Sequence, residues 1–233
     1  MIRVLLEPVF VLHQRPYQNS SLIVELFSQQ FGRVCVLARS ARGPKSRFQG
    51  FLQPFAPLLA SWSGRRELMH LNALELSGSP LNLNGQALFC GFYLNELLLR
   101  LLQKEDPEPS IFFDYRAALT DLEKSNHIAV VLRRFEKRLL HNLGYGLNLK
   151  VDSQEFYRWT PSDGLSRYEK QGDIEPNVFS GRSLLALQQE QWDHPEDLLA
   201  AKQLMRLVLK SHLGGKPLKS RDCFELLNKI EEK

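Results

Sequence analysis

Seven cations, Arg33, Arg39, Arg42, Lys45, Arg47, Arg65 and Arg66, fall between Glu25 and Glu67, where the chain has no Asp or Glu. A guanidinium can donate two parallel hydrogen bonds to a phosphate and can stack on a base. Each phosphate neutralised by such a cation releases condensed counterions, so a surface without carboxylates suits a polyanion. Aromatics are threaded through the same stretch: Phe27, Phe31, Phe48, Phe51, Phe55 and Trp62. An exposed ring offers a face for base stacking, and Trp62, beside the turn residues Ser63-Gly64, is the best-placed candidate. The ordinary fate of a large aromatic is burial, and Phe48, Phe51 and Phe55 read as core or barrel-rim residues.

The charge is divided unevenly along the chain. The 233 residues carry a formal net charge of +4. Residues 1–80 hold nine Lys or Arg against four Asp or Glu, a net +5, and the rest hold 21 against 22, a net −1. Net charge speaks to partners rather than to fold, so the N-terminal part is the one that faces a polyanion.

Catalytic constellations do not emerge. His13, His70, His127, His141, His194 and His212 are scattered without metal-ligand spacing, and no G-x-S-x-G elbow occurs. Gly214-Gly215-Lys216-Pro217 only superficially suggests a phosphate loop. Lys210 stands where the first glycine belongs, and Pro217 replaces the hydroxyl residue. Cys35, Cys90 and Cys223 are too widely spaced for a zinc ribbon or a disulfide framework. Glu7 and Pro8 come too early for a signal peptide, and the apolar run 87–102 is broken by Asn95, Glu96 and Arg100. The expectation is a soluble cytoplasmic protein, not an enzyme, with no metal or cofactor.

Two kinds of element must position the cations. Residues 1–76 read as about five short strands: an apolar run at 9–12 before a turn-like Arg15-Pro16, alternation at 22–26 and 33–39, a region at 49–61 broken by Pro54 and Pro57, and 67–76. In the 33–39 strand Arg33, Cys35, Leu37 and Arg39 share one face. Residues 40–46, with Gly43-Pro44, read as a flexible exposed loop that carries Arg42 and Lys45. A five-stranded oligonucleotide/oligosaccharide-binding (OB) barrel fits this pattern. After Ser77-Gly78-Ser79-Pro80 the period becomes helical. Helices are expected near 88–102, 110–122 and 128–143, then at 182–190, 196–213 and 220–231, around a hairpin-like insert at about 148–180. The expected class is α+β, with a nucleic-acid domain at 1–78 and a helical domain at 79–233.

The helical part has cations of its own. Lys202, Arg206 and Lys210 step at i, i+4 and i+8 along one stripe, and Arg133, Arg134, Lys137 and Arg138 crowd another helix. Such runs are ordinarily solvated faces; the functional alternative is a site for an acidic peptide or a second stretch of nucleic acid.

A family resemblance joins these readings. Phe10-Val11-Leu12-His13-x-Arg15-Pro16, Gly32-Arg33-Val34, Ala38-Arg39-x-Ala41-Arg42 and Leu52-Gln53-Pro54-Phe55 resemble the bacterial RecO family. So do Tyr93-x-Asn95-Glu96-Leu97, Phe112-Phe113-Asp114-Tyr115, Leu132-Arg133-Arg134-Phe135-Glu136, Leu143-Gly144-Tyr145-Gly146 and the run from Leu213 to Arg221. The resemblance implies an OB domain followed by a helical domain. It implies binding of single- and double-stranded DNA and annealing of complementary strands. It implies contact with the acidic tail of single-strand-binding protein (SSB), and partnership with RecR in loading RecA on a cytoplasmic, nucleoid-associated DNA. Family DNA contacts carry over onto Arg33, Arg39 and Arg42; Lys45, Arg47, Arg65 and Arg66 are added from charge. Arg133, with Lys202, Arg206 and Lys210, is the candidate site for the acidic tail. Many members carry four zinc cysteines in the insert; this chain has none there, so no structural zinc is expected. The residues themselves leave open an RNA-binding OB module and a pure protein adaptor.

Overall fold

A computed structural model of the chain describes residues 2–65, 68–125, 127–147, 150–169 and 175–220. The chain forms two compact units, Met1–Lys124 with Leu218–Lys233, and Ser125–Pro217.

The first unit is built on a barrel. β1 (Ile2–Tyr17), β2 (Ser21–Ser28), β3 (Gly32–Ala38), β4 (Leu58–Arg65) and β5 (Leu68–Leu76) close in the order β1-β2-β3-β5-β4. Only β3 and β5 run parallel; the other neighbours are antiparallel. Five strands closed in this way form an OB-type barrel, as the strand pattern led one to expect. Closure falls to β1, whose first half pairs with β4 and second half with β2. Two bulges bend it, between Val4 and Glu7 and between Val11 and His13. The expected turn at Arg15-Pro16 is instead strand, with Pro16 opposite Leu22. Beyond Val9, β1 has a partner on one side only, which is where a sheet tolerates proline.

The core follows from alternation. Val34, Val36 and Ala38 of β3 point inward to meet Val24, Leu26, Leu58, Ala60 and Trp62. Trp62 is therefore a core residue and no stacking platform; Phe31 covers it edge-on at 5.5 Å.

The expected strand at 49–61 begins only at Leu58. Residues 40–51 form successive turns, with backbone bonds from Gly43 to Ser40, Ser46 to Gly43, Gln49 to Ser46 and Phe51 to Phe48. Phe48 and Leu52 are pinned into the barrel core. Phe55 takes a left-handed φ of 66° and lies over Gly91, where a Cβ would come within 2.8 Å of its ring. The basic loop is thus anchored along its length rather than flexible.

Two helices, α1 (Gly85–Leu101) and α2 (Pro109–Lys124), pack on the outer face of the barrel. Phe112 and Tyr115 meet Phe10 and Phe27 with ring centroids 5.2 to 5.9 Å apart. Bulged Leu12 has no cross-strand partner in the β1–β2 register, and its carbonyl accepts from Asn95 Nδ2 at 3.1 Å. Tyr115 then donates its hydroxyl to Asn95 Oδ1 at 2.5 Å.

Glu96 secures the chain after Pro217. It accepts from the amides of Lys219 and Ser220 at 3.0 and 2.9 Å and from the Ser220 hydroxyl at 2.7 Å, with Arg100 at 3.0 Å. Burial pushes the Glu96 carboxyl up, but the Ser220 and Lys219 hydrogen bonds, with Arg100, outweigh it and hold the group below the usual carboxylate range. A depressed pKa stabilises the folded form above the unfolded pKa and ceases to do so as pH falls through the folded value. Acidification below the ordinary glutamate range is therefore expected to release Lys219 and Ser220 from α1. Limited proteolysis across an acid series should show earlier cleavage there, and Glu96→Gln should show it already at neutral pH.

The second unit contains α3 (Ile128–Asn142), the sheet β7-β6-β8, α4 (Gly181–Gln189) and α5 (Pro195–His212). The expected hairpin is β6 (Phe156–Thr160) with β7 (Gly164–Tyr168), and β8 (Val178–Ser180) adds a third strand. Ser180 caps α4 by accepting from the Ser183 amide at 3.2 Å. The expected helix at 220–231 lies almost wholly outside the described residues. No helix among the described residues is long and apolar enough to cross a membrane.

Candidate nucleic-acid interface

Strand register lays the outer face of the barrel out residue by residue. One row runs Arg15, Ile23, Leu37, His70, Ser63, Arg3 across β1, β2, β3, β5, β4 and back to β1. The next runs from Tyr17 to Ser21, and the antiparallel register beyond the Leu22–Ala38 pair continues it to Arg39. Arg3, Arg15 and Arg39 are exposed.

The helices cover the opposite end of this face. There Arg33 Nη1 donates to the Leu99 carbonyl of α1, and its Nε lies 3.9 Å from Glu25. Lys104 reaches the same carboxylate at 3.7 Å. Gly32, at φ 64°, meets the Asp106 backbone so closely that no Cβ fits. Arg33 therefore differs from the exposed contact expected of it: it is half-buried and joins the barrel to α1. Arg39 is six residues further on, one position past the end of β3 and about 20 Å away. Burial, then the neighbouring Glu25, pushes the Cys35 thiol up, which keeps it protonated and unreactive at neutral pH.

Arg39, Arg42, Lys45 and Arg47 lie at the end of β3 and in the loop that follows it. Arg39 Nη2 lies 3.4 Å from His70 Nε2 on β5. The Arg42 amide donates to the Ser20 carbonyl at 2.9 Å, and its guanidinium approaches the Gln18 carbonyl at 3.5 Å. That ties the basic loop to the β1–β2 turn. Arg47 lies over the Phe48 ring at 4.9 Å, and Lys45 is exposed on the loop. Arg65 is exposed at the end of β4, where the β4–β5 connection begins. Arg66 is outside the described residues. The β1–β2 and β4–β5 loops flanking the β2–β3 surface are where OB barrels take oligonucleotides. Arg39, Arg42 and Arg65 border that position.

Local sequence did not single out Arg3, Arg15, Tyr17 and His70. Arg15 and Tyr17 sit in a segment that reads as a turn, and Arg3 reaches the surface row only because β1 closes against β4. Regular alternation through Arg15 and Tyr17 was the available signal.

In the second unit Lys202, Arg206 and Lys210 are exposed on α5, opposite its buried Ala201, Leu204, Met205 and Val208. Leu199, 59% exposed, stands one turn before Lys202. Arg133 differs: it is 6% exposed and pairs with buried Glu136 at 2.6 Å. Its neighbours Arg134, Lys137 and Arg138 surround Glu190 at 2.7, 2.9 and 3.4 Å. Burial pushes Glu190 up, but hydrogen bonds from Lys137 and Arg134 outweigh it and hold the carboxyl low. The crowded cations of α3 thus have an internal counter-charge. Among the described residues no group of three or more His, Cys, Asp or Glu is placed to hold a metal ion.

Comparison with known proteins gives a consistent match along the chain. Residues 1–80 match the family model for recombination protein O, N terminal, and residues 83–222 match its C-terminal counterpart. The DNA repair protein RecO of Coxiella burnetii is 50% identical over 229 residues, spanning 94% of this chain and 97% of that protein. RecO of Pseudomonas aeruginosa is 45% identical over 225 residues, with 94% of each chain covered. RecO of Methylococcus capsulatus is 43% identical over 226 residues, with 95% and 93% covered. Two family models in sequence order and near full-length relatives leave one assignment: the chain belongs to the recombination protein O (RecO) family of DNA repair proteins.

Proposed function

We propose that this chain is a non-enzymatic, DNA-binding mediator of recombinational repair. The observation that carries the reading is the exposed set Arg39 and Arg42, in the connection after β3 that is tied to the β1–β2 turn, with Arg65 at the start of the β4–β5 connection, the two loops where an OB barrel accepts oligonucleotides. Arg15, Lys45 and Arg47 extend it; Arg66 belongs to the same proposal by sequence. Arg33 acts indirectly, by holding α1 against the barrel. The N-terminal domain of the proposal, residues 1–78, grasps single- and double-stranded DNA by phosphates, with little sequence preference. Two complementary strands screened on one positive surface repel each other less and meet at higher local concentration, which favours annealing without ATP. The helical domain, residues 79–233, supplies the protein contacts. Lys202, Arg206 and Lys210 match the acidic residues of the SSB tail, and exposed Leu199 offers an apolar contact to its end. RecR is the second partner, and RecA loading on the nucleoid is the outcome.

Strand annealing with and without SSB across a salt series tests this reading. The expected result is ATP-independent annealing that falls steeply as salt rises. Absence of annealing and of oligonucleotide binding at low salt would favour a pure adaptor. Strong preference for a matched RNA over DNA would favour an RNA-binding module.

A further inference from the structure

We propose that Tyr17 is the base-stacking platform of this interface and the residue that favours single strands over duplex. The inference rests on the nucleic-acid reading above and names a residue within that same surface. Aromatic faces are scarce at this end of the barrel. Trp62, the candidate the sequence offers, is buried with Phe27, Phe48 and Phe55; Phe51 is half-buried against the core, and Phe31, 37% exposed, is packed edge-on over Trp62. Tyr17 is 39% exposed, at the last position of β1.

Register sets what surrounds it. Tyr17 pairs with Ser21, and the β2–β3 register continues the row to Arg39. The central residue of that row is a small serine, and the strand spacing puts the backbones of Tyr17 and Arg39 about 10 Å apart. An aromatic residue and an arginine thus flank Ser21, itself only 8% exposed, on one face. Arg15 shares the face, one pleat back along β1. The support beneath is fixed: Gln18 holds a left-handed φ of 51°, and Arg42 bonds the Gln18 and Ser20 carbonyls. A ring held beside two phosphate-seeking cations suits a nucleotide whose base is unpaired, because any base presents a π-face. A duplex keeps its bases stacked inside and can use the cations only.

Fluorescence anisotropy with three probes of equal length tests this: an oligothymidylate, an abasic deoxyribose-phosphate oligomer and a duplex. Tyr17→Ala is expected to weaken oligothymidylate binding on the order of tenfold, with abasic and duplex affinities unchanged. Tyr17→Phe is expected to keep wild-type affinity, because the ring rather than the hydroxyl does the stacking. Tyr17→Trp adds an independent readout that survives if the alanine variant misfolds: its extra emission should be quenched by oligothymidylate and not by the abasic oligomer. Equal loss on all three probes, a Phe variant as weak as the Ala variant, or an unquenched Trp would overturn the inference. Failure of the wild type to bind any probe would instead overturn the underlying reading.

Discussion

Arg39→Glu combined with Arg42→Glu is expected to weaken single-stranded DNA binding roughly 25-fold at about 0.1 M salt, and duplex binding roughly 60-fold. The figures follow from counterion release. Each phosphate contact contributes about 0.7 to the logarithmic salt slope for single strands and about 0.9 for duplex, so two lost contacts remove about 1.4 or 1.8 decades over a tenfold salt change. Reversal of charge adds repulsion, so both are lower bounds. Both side chains are exposed and neither enters the core, so the double variant should fold normally. The slope of log affinity against log salt should flatten by the same amounts. An unchanged slope in a folded variant would place the DNA elsewhere. Arg33→Gln makes the informative contrast. Because Arg33 is spent on the Leu99 carbonyl and Glu25, its loss should lower stability and leave the salt slope nearly intact.

Asn95→Leu is expected to destabilise the chain by about 1–3 kcal/mol, the cost of leaving one buried polar group unsatisfied. That group is the Leu12 carbonyl, left without a cross-strand partner by the β1 bulge; the Tyr115 hydroxyl loses its Asn95 acceptor as well. Burial pushes the Tyr115 pKa far above the usual tyrosine range, so the hydroxyl stays protonated and needs an acceptor. Tyr115→Phe, alone and combined with Asn95→Leu, gives the coupling energy across their hydrogen bond. Urea unfolding of the four proteins of this cycle measures both numbers. A cost below about 0.5 kcal/mol for the single variant, comparable to an ordinary surface change, would show that the network is dispensable.

Much of the fold was legible because its signals are local. Alternation through residues 33–39 assigned Val34, Val36 and Ala38 to one face and Arg33, Cys35, Leu37 and Arg39 to the other; the first three enter the barrel core, and of the second face only Leu37 is buried. The change from period two to period 3.6 after residue 80 marked the switch to helices. Features set by distant parts of the chain were not legible. Nothing near Arg15-Pro16 shows that β1 continues with a partner on one side only. Nothing near Phe55 shows that a glycine at 91 leaves room for its ring. The cation set illustrates the same limit. Arg33 and Arg39 share a strand face, yet only the approach of Leu99 and Glu25 separates an internal clamp from an exposed contact. Arg133 repeats the lesson on α3, where the residue three positions on is a buried acid. Residue type announced a polyanion-facing surface; burial decided which guanidinium groups form it.

The open end of the barrel can be located directly by hydrogen exchange measured by mass spectrometry with and without a short oligothymidylate. Protection is expected in peptides covering residues 13–23, 37–47 and 63–72, with none in the segment at 99–106 that covers Arg33. Protection concentrated at 99–106 and absent from the first three segments would contradict the placement of nucleic acid at this surface.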